Sequence, residues 1–116
     1  MTALTILRQA YTLLGNETGA ATADGDEIGL TAVNQIYGEL WKREHDTPFE
    51  PLDGLRRKVM LSAGYLPAMA YGTAMLLCLN GAEDRPYARY QALYEKAAAC
   101  AGNQIRRRRD LFCCGE

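Results

Sequence analysis

The stretch DGDEIGLTAVNQIYGELWKR, residues 24–43, decides the fold. Ile28, Ala32, Val33, Ile36, Tyr37, Leu40 and Trp41 recur in it at intervals of three and four, the spacing that places side chains on one face of an α-helix. Asp24, followed three residues later by Glu27, is a variant of the capping box that opens such a helix. The spacing predicts a helix from residue 25 to residue 43, with an apolar face wide enough to pack on more than one neighbour.

Working outward, the same period recurs on both sides. Thr2 can cap a first helix whose positions Leu4, Leu7, Ala10, Tyr11 and Leu14 form a stripe, and Gly15-Asn16 supplies its stop. Residues 16–25, small, polar and glycine-containing, read as a surface loop. On the other side, Pro48, Pro51 and Gly54 prevent a continuous helix and leave Phe49 and Leu52 to pin the loop down. Residues 55–61 read as a short helix with Arg56, Arg57 and Lys58 outward. Pro67 fits the first turn of a third long helix that ends at Asn80-Gly81. Within it Ala68, Ala70, Gly72 and Ala74 are small while Tyr71, Met75 and Cys78 are large, a pattern that lets neighbours approach closely and places this helix at the centre. A fourth helix starts at Glu83 or Asp84 and carries Tyr87, Tyr90, Leu93 or Tyr94, Ala97 and Ala101 at helical spacing. Past Gly102-Asn103 the pattern fades. No segment alternates with period two between hairpin turns. The expected fold is therefore all-α: a small bundle of about four helices over residues 1–104, with an extended C-terminal tail over 105–116 that is basic and then apolar.

Composition bounds the function. With 116 residues, 48% of them hydrophobic and 23% charged, the chain is a single domain. A domain of this size buries roughly two-thirds of its unfolded surface. The longest apolar run, Ala68 to Leu79, falls short of the roughly twenty residues a spanning helix needs, so no transmembrane helix and no membrane partner are expected. Met1 to Leu4 lack the features of a secretory signal, which places the expected site of action inside a cell or a particle assembled there. The formal net charge of −1 hides an asymmetry. Residues 1–50 carry eight acidic and three basic side chains, a balance of −5, whereas residues 51–116 carry six and ten, a balance of +4. Such a dipole suits head-to-tail contact between copies, and equally suits ordinary solvated faces.

The catalytic inventory is thin. Cys78, Cys100, Cys113 and Cys114 show no C-x2-C spacing and His45 is the only histidine, so no metal site is expected. Cys78 and Cys100 lie on apolar and alanine-rich helical faces and read as small buried hydrophobes, Cys113 and Cys114 as reduced surface thiols. His45, in the charged loop Glu44-His45-Asp46, reads as a surface residue with no nucleophile near it in sequence. Asp24, Asp26 and Glu27 sit at a helix start, where the dipole and free N–H groups account for them. No phosphate-cradling glycine motif is present. The residues therefore propose no enzyme and no cofactor.

Two features stand above background. Arg106 to Arg109 can pair with carboxylates or neutralise phosphates, since arginine makes forked bonds to both. Leu111 and Phe112 follow, and a basic run with an apolar anchor suits a protein partner better than a pure phosphate binder. The tyrosine series Tyr87, Tyr90 and Tyr94 reads either as the edge of an amphipathic core or as a contact face toward neighbouring copies.

At these residues the chain resembles a family. Leu7-Arg8-Gln9-Ala10-Tyr11-Thr12-Leu13-Leu14-Gly15, then Ala32-Val33-Asn34-Gln35-Ile36 leading to Leu40-Trp41, and Leu66-Pro67 followed by Ala70-Tyr71-Gly72-Thr73-Ala74-Met75-Leu76-Leu77, are similar to helices of tailed-phage head-to-tail connector (adaptor, head completion) proteins, including the tail accessory factors of short-tailed phages. The resemblance covers roughly residues 4–95. It implies a structural virion protein at the head-to-tail junction, made in the host cytoplasm, that sits beneath the portal as a ring of about twelve copies. It further implies that the ring helps retain packaged DNA, with non-specific DNA contact, and joins tail or stopper proteins. Carried onto this chain, the resemblance assigns portal contact to Arg106, Arg107, Arg108, Arg109, Leu111 and Phe112. It assigns ring contacts to exposed parts of the second and fourth helices, where Tyr87, Tyr90 and Tyr94 lie. The alternative is a small helical DNA-binding or regulatory module of phage or prophage origin, using Arg56, Arg57, Lys58 and the arginine run on phosphates. A sequence pI of about 5.8 weighs against it, because a dedicated binder is normally basic.

Overall fold

Three helices of this chain begin at a polar side chain that accepts a free backbone N–H, and a fourth carries a proline in its first turn. The computed structural model describes the backbone of residues 1–79 and 84–113, and the side chains of residues 1–79 and 87–102. In chain order the elements are α1 (Ala3–Leu13), α2 (Glu17–Ala21), α3 (Glu27–Glu44), the 3-10 turn η1 (Ala63–Tyr65), α4 (Leu66–Cys78) and α5 (Asp84–Cys113). The fold is all-α. Among the described residues the one piece of β pairing is an isolated antiparallel bridge between Thr2 and Lys58.

The Thr2 hydroxyl caps α1 by accepting from the Thr5 N–H at 3.3 Å. Gly15, at φ 72°, turns the chain out of α1 in the left-handed conformation that glycine adopts without steric cost. Asn16 then caps the five-residue α2, its Oδ1 accepting from Gly19 N–H at 2.9 Å, within residues 16–25, where the composition predicts a surface loop. Helix α3 is capped by Asp26, whose Oδ1 accepts from Gly29 N–H at 2.9 Å, and not by Asp24. Gly25 at φ 92° separates Asp24 from the helix, and Asp24 is paired instead with Arg56 at 2.8 Å. The cap lies two residues later than the sequence predicts, while the stripe from Ala32 to Leu40 keeps its register. Gly29, Ala32, Val33, Ile36, Tyr37 and Leu40 face inward, while Ile28, expected in the stripe, is 62% exposed.

Helix α4 is the central element and packs on α1, α3 and α5. Ala68, Met69, Ala70, Gly72, Thr73, Ala74, Leu77 and Cys78 are buried along it. A Cβ at Gly72 would come within 2.8 Å of the Ile36 side chain and 2.9 Å of the Tyr94 side chain, so the absence of one lets α3 and α5 close on α4 together. Ile6 and Leu7 of α1, Val33, Ile36 and Leu40 of α3, and Tyr65 and Met69 complete the most enclosed part of the core. Each side chain of this size contributes about 1.5–3 kcal/mol when removed from water.

Residues 55–61 are not helical. Leu4 N–H donates to Leu55 O at 2.7 Å, Ala3 N–H to Arg57 O at 3.0 Å, and Val59 N–H to Met1 O at 3.0 Å, so this segment spends its backbone groups on the start of α1. It belongs to a long strap, residues 45–62, that α3 holds along its length. Asn34 exchanges two hydrogen bonds with the backbone of Leu52, at 3.0 and 2.8 Å. Trp41 donates to Thr47 O at 2.8 Å, and Tyr37 accepts from Met60 N–H at 3.0 Å. The Glu44 carboxylate takes both the N–H and the hydroxyl of Ser62.

Helix α5 runs unbroken to Cys113, past the Gly102-Asn103 pair where the sequence pattern fades. Gln104 and the arginines are good helix formers, and one interior glycine costs only about 1 kcal/mol against them. The basic segment from residue 105 thus continues a helix up to Cys113.

Candidate functional site

Three features of the described residues are the candidates for a site. The first is an open groove of about 780 Å³ between α1 and the start of α4. Leu13, Leu66, Pro67 and Ala70 give it an apolar floor, and Thr5, Arg8 and Gln9 a polar edge. It exists because α1 turns Ile6, Leu7 and Ala10 into the core, leaving positions 5, 8, 9, 12 and 13 on its outer side. Among the described residues, the two side-chain ion pairs are Asp24 with Arg56 and Asp53 with Arg57, so Arg8 brings an unneutralised charge to the groove.

The second is a hollow of about 410 Å³ on the strap side, lined by Tyr37, Trp41, Glu50, Asp53, Lys58 and Met60 among others. Behind it lies an aromatic cluster. Tyr37 meets Trp41 and Phe49 edge to face at 5.8 and 5.1 Å between ring centres, and His45 stacks on Trp41 at 4.0 Å. The His45 Nε2 also lies 3.2 Å from Met60 O. This histidine, expected at the surface, is half-buried, and its ring contacts the strap at Met60 O. The hollow's charges balance, Asp53 being bonded to Arg57 at 2.9 Å.

The third is the end of α5. Positions 106 to 109, 111 and 112 lie on its last turns, and four successive positions at about 100° per residue go most of the way round a helix. The side chains of Arg106, Arg107, Arg108, Arg109, Leu111, Phe112 and Cys113, and all of Cys114, lie outside the described residues.

The tyrosines divide. Tyr90 and Tyr94, weighed in the sequence as a face toward other copies, are buried within their own chain. Tyr90 donates its hydroxyl to Leu13 O at 2.6 Å and Tyr94 to Glu39 Oε2 at 2.9 Å, so these rings and their polar tips serve the core edge. Tyr87 is half-buried. Burial and the neighbouring Glu39 push the Tyr94 hydroxyl far above its ordinary range, with Arg43 opposing weakly. Tyr11, donating to Asp26, is pushed up to about 12, by burial first and then by the carboxylate. Both hydroxyls act as fixed donors.

Cys78 is buried, and burial pushes its thiol up. Cys100 is exposed, contrary to the reading from its alanine-rich surroundings, because the buried face of α5 runs through Ala98 and Ala101 on either side of it. Among the described residues no group of three or more His, Cys, Asp or Glu is placed to hold a metal ion. No described helix is long and apolar enough to cross a membrane. The groove escaped the sequence reading because no single residue announces it. Its traces are Leu13, which falls off the α1 stripe and is 42% exposed, and the small Ala70 beside Pro67.

Neither a family model, nor a curated protein, nor a solved structure matches this chain.

Proposed function

We propose that the chain is a structural subunit of a phage head-to-tail junction, a connector that binds the portal through its basic-apolar C-terminal segment and meets other copies through its helix faces. The observation that carries this reading is the placement of that segment on α5. One helix begins within the bundle, buries Tyr90, Tyr94, Ala98 and Ala101 against it, and then continues to Cys113 with the four arginine positions and Leu111 and Phe112 on its last turns. From Ala101 to Cys113 the helix advances about 18 Å. A charged helical arm rooted in a core suits insertion into a partner better than catalysis, with arginine guiding the approach and the two apolar positions anchoring it. The all-α bundle and the resemblance over residues 4–95 agree with the same reading.

In this role the subunits form a ring beneath the portal, help retain packaged DNA and present a platform to tail or stopper proteins. The test is co-purification with the portal protein of the same phage or prophage, followed by particle imaging. The full chain is compared with one carrying Arg106→Ala, Arg107→Ala, Arg108→Ala and Arg109→Ala, and with one ending at Gln104. A ring added to the portal by the full chain and lost in both variants is the expected result. Absence of portal binding by any form, together with salt-sensitive binding of duplex DNA by the full chain, overturns the connector and favours a regulatory module.

A further inference from the structure

The groove between α1 and α4 and the first turn of α3 complement each other. The groove is apolar below, and the charge on it is positive, from Arg8. Ile28, on α3, exposes 62% of its surface, and Glu27 beside it is also exposed. Thr31 and Gln35 extend this outer face along the helix, and since the Thr31 and Thr12 hydroxyls already donate to Glu27 O and Arg8 O, the amides of Gln35 and Gln9 are the groups that can meet across the contact. The other large exposed apolar side chains fit less well. Met60 lies two residues from Lys58, whose charge has the same sign as Arg8; Leu79, 62% exposed, follows α4, which carries no acidic residue to face Arg8; and Met1 and Leu13 belong to the groove itself.

We infer that the groove receives the Glu27–Ile28 turn of α3 from a second copy of this chain, with Ile28 covering the Leu13–Pro67–Ala70 floor and the Glu27 carboxylate facing Arg8. The two surfaces lie on different sides of the molecule. On α1 the groove is formed by positions 5, 8, 9, 12 and 13, whereas α3 approaches the other side, where Gly29 packs against Leu7. One copy therefore cannot satisfy its own groove, and a contact between unlike surfaces repeats from copy to copy, closing a ring or running on as a filament. The inference rests on the reading of the chain as a self-associating subunit and names the surfaces through which copies meet.

The experiment measures association of the purified full chain alone, by sedimentation across a concentration series, with no portal present. Arg8→Glu and Glu27→Arg are each expected to weaken association by about tenfold or more, and the chain carrying both changes to recover it, since the reversed charges again face one another. Ile28→Ser weakens it by removing the apolar knob and leaves charge untouched. All of these positions are exposed, and circular dichroism checks that each variant keeps its fold. A chain that stays monomeric throughout, or associates regardless of these changes, or is not rescued by the double reversal, overturns the inference. The connector reading fails separately: self-association through these residues with no portal binding rejects the connector and leaves the interface standing, whereas portal binding by a monomeric chain does the reverse.

Discussion

The Tyr90 hydroxyl donates to the carbonyl oxygen of Leu13 at 2.6 Å, joining the last turn of α1 to α5 across 77 positions of sequence. A helix leaves its final carbonyls without partners inside the helix, and this one is met by a side chain from the far end of the fold. Tyr90→Phe keeps the ring and deletes the donor, leaving a part-buried carbonyl unpaired. We expect a loss of about 1–2 kcal/mol, read as a lower urea midpoint with an unchanged slope. An unchanged midpoint contradicts the role given to this bond.

Tyr11 gives the fold a dependence on high pH. Burial, the hydrogen bond to Asp26 and the charge of that carboxylate hold its hydroxyl protonated up to about 12, against the ordinary 10.0. The folded state thus binds the proton more tightly than the unfolded chain, so the stabilisation is complete below about pH 10 and is lost as the pH rises through about 12. Tyr94 shifts in the same direction through burial and Glu39. Urea midpoints measured from about pH 9 to about pH 12 should fall, and Tyr11→Phe should make the fall shallower while lowering the plateau. A slope identical in the two proteins assigns the pH dependence to other groups.

The strap hangs on Asn34. Its amide both donates to and accepts from the Leu52 backbone in the middle of a segment without regular structure. Asn34→Ala removes both bonds at a cost of about 1–3 kcal/mol, and Asn34→Asp keeps only the acceptor, so its effect should lie between. The local consequence is more telling than the global one. Trypsin cuts after Arg56, Arg57 and Lys58, and in Asn34→Ala those sites should be cleaved faster under conditions that keep the helices folded. Equal cleavage rates in the two proteins show that the terminal fastenings at Glu44 and Met1 hold the strap without Asn34.

Those fastenings mark the boundary of what the sequence discloses. Helices α1, α3 and α4 were legible because local rules write them: a threonine cap and glycine stop around Leu4 to Leu14, a long stripe ending at Trp41, a proline at position 67. The starting residue of α3 was not, since choosing Asp26 over Asp24 as cap depends on the turn at Gly25 and on Arg56, which claims Asp24 from far along the chain. The non-helical course of 55–61 likewise follows from partners on Met1, Ala3 and Leu4 that no local pattern mentions. Tyrosine spacing gave the face of α5 and could not tell core from interface, because both want an aromatic body with a polar tip. The α1–α4 groove was the least visible, being made of residues that the core leaves over.

Two helical glycines separate the contributions of packing and backbone, and they predict opposite signs for the same substitution. Gly72→Ala puts a methyl group within 2.8 Å of Ile36 and 2.9 Å of Tyr94, both core side chains from different helices, so one of them must move. The expected cost is about 1–3 kcal/mol, and Ile36→Val in the same chain should return part of it by making room. At Gly102 the new methyl group would meet the Tyr65 hydroxyl at 3.7 Å, an ordinary contact. Its backbone is not in the left-handed region that Gly15 occupies, as it would be if α5 ended there with a glycine stop. Gly102→Ala should therefore stabilise the protein by up to about 1 kcal/mol and raise its helical circular dichroism. A destabilised Gly102→Ala protein would mean that the chain turns at this residue, separating the arginine segment from the helix that carries it.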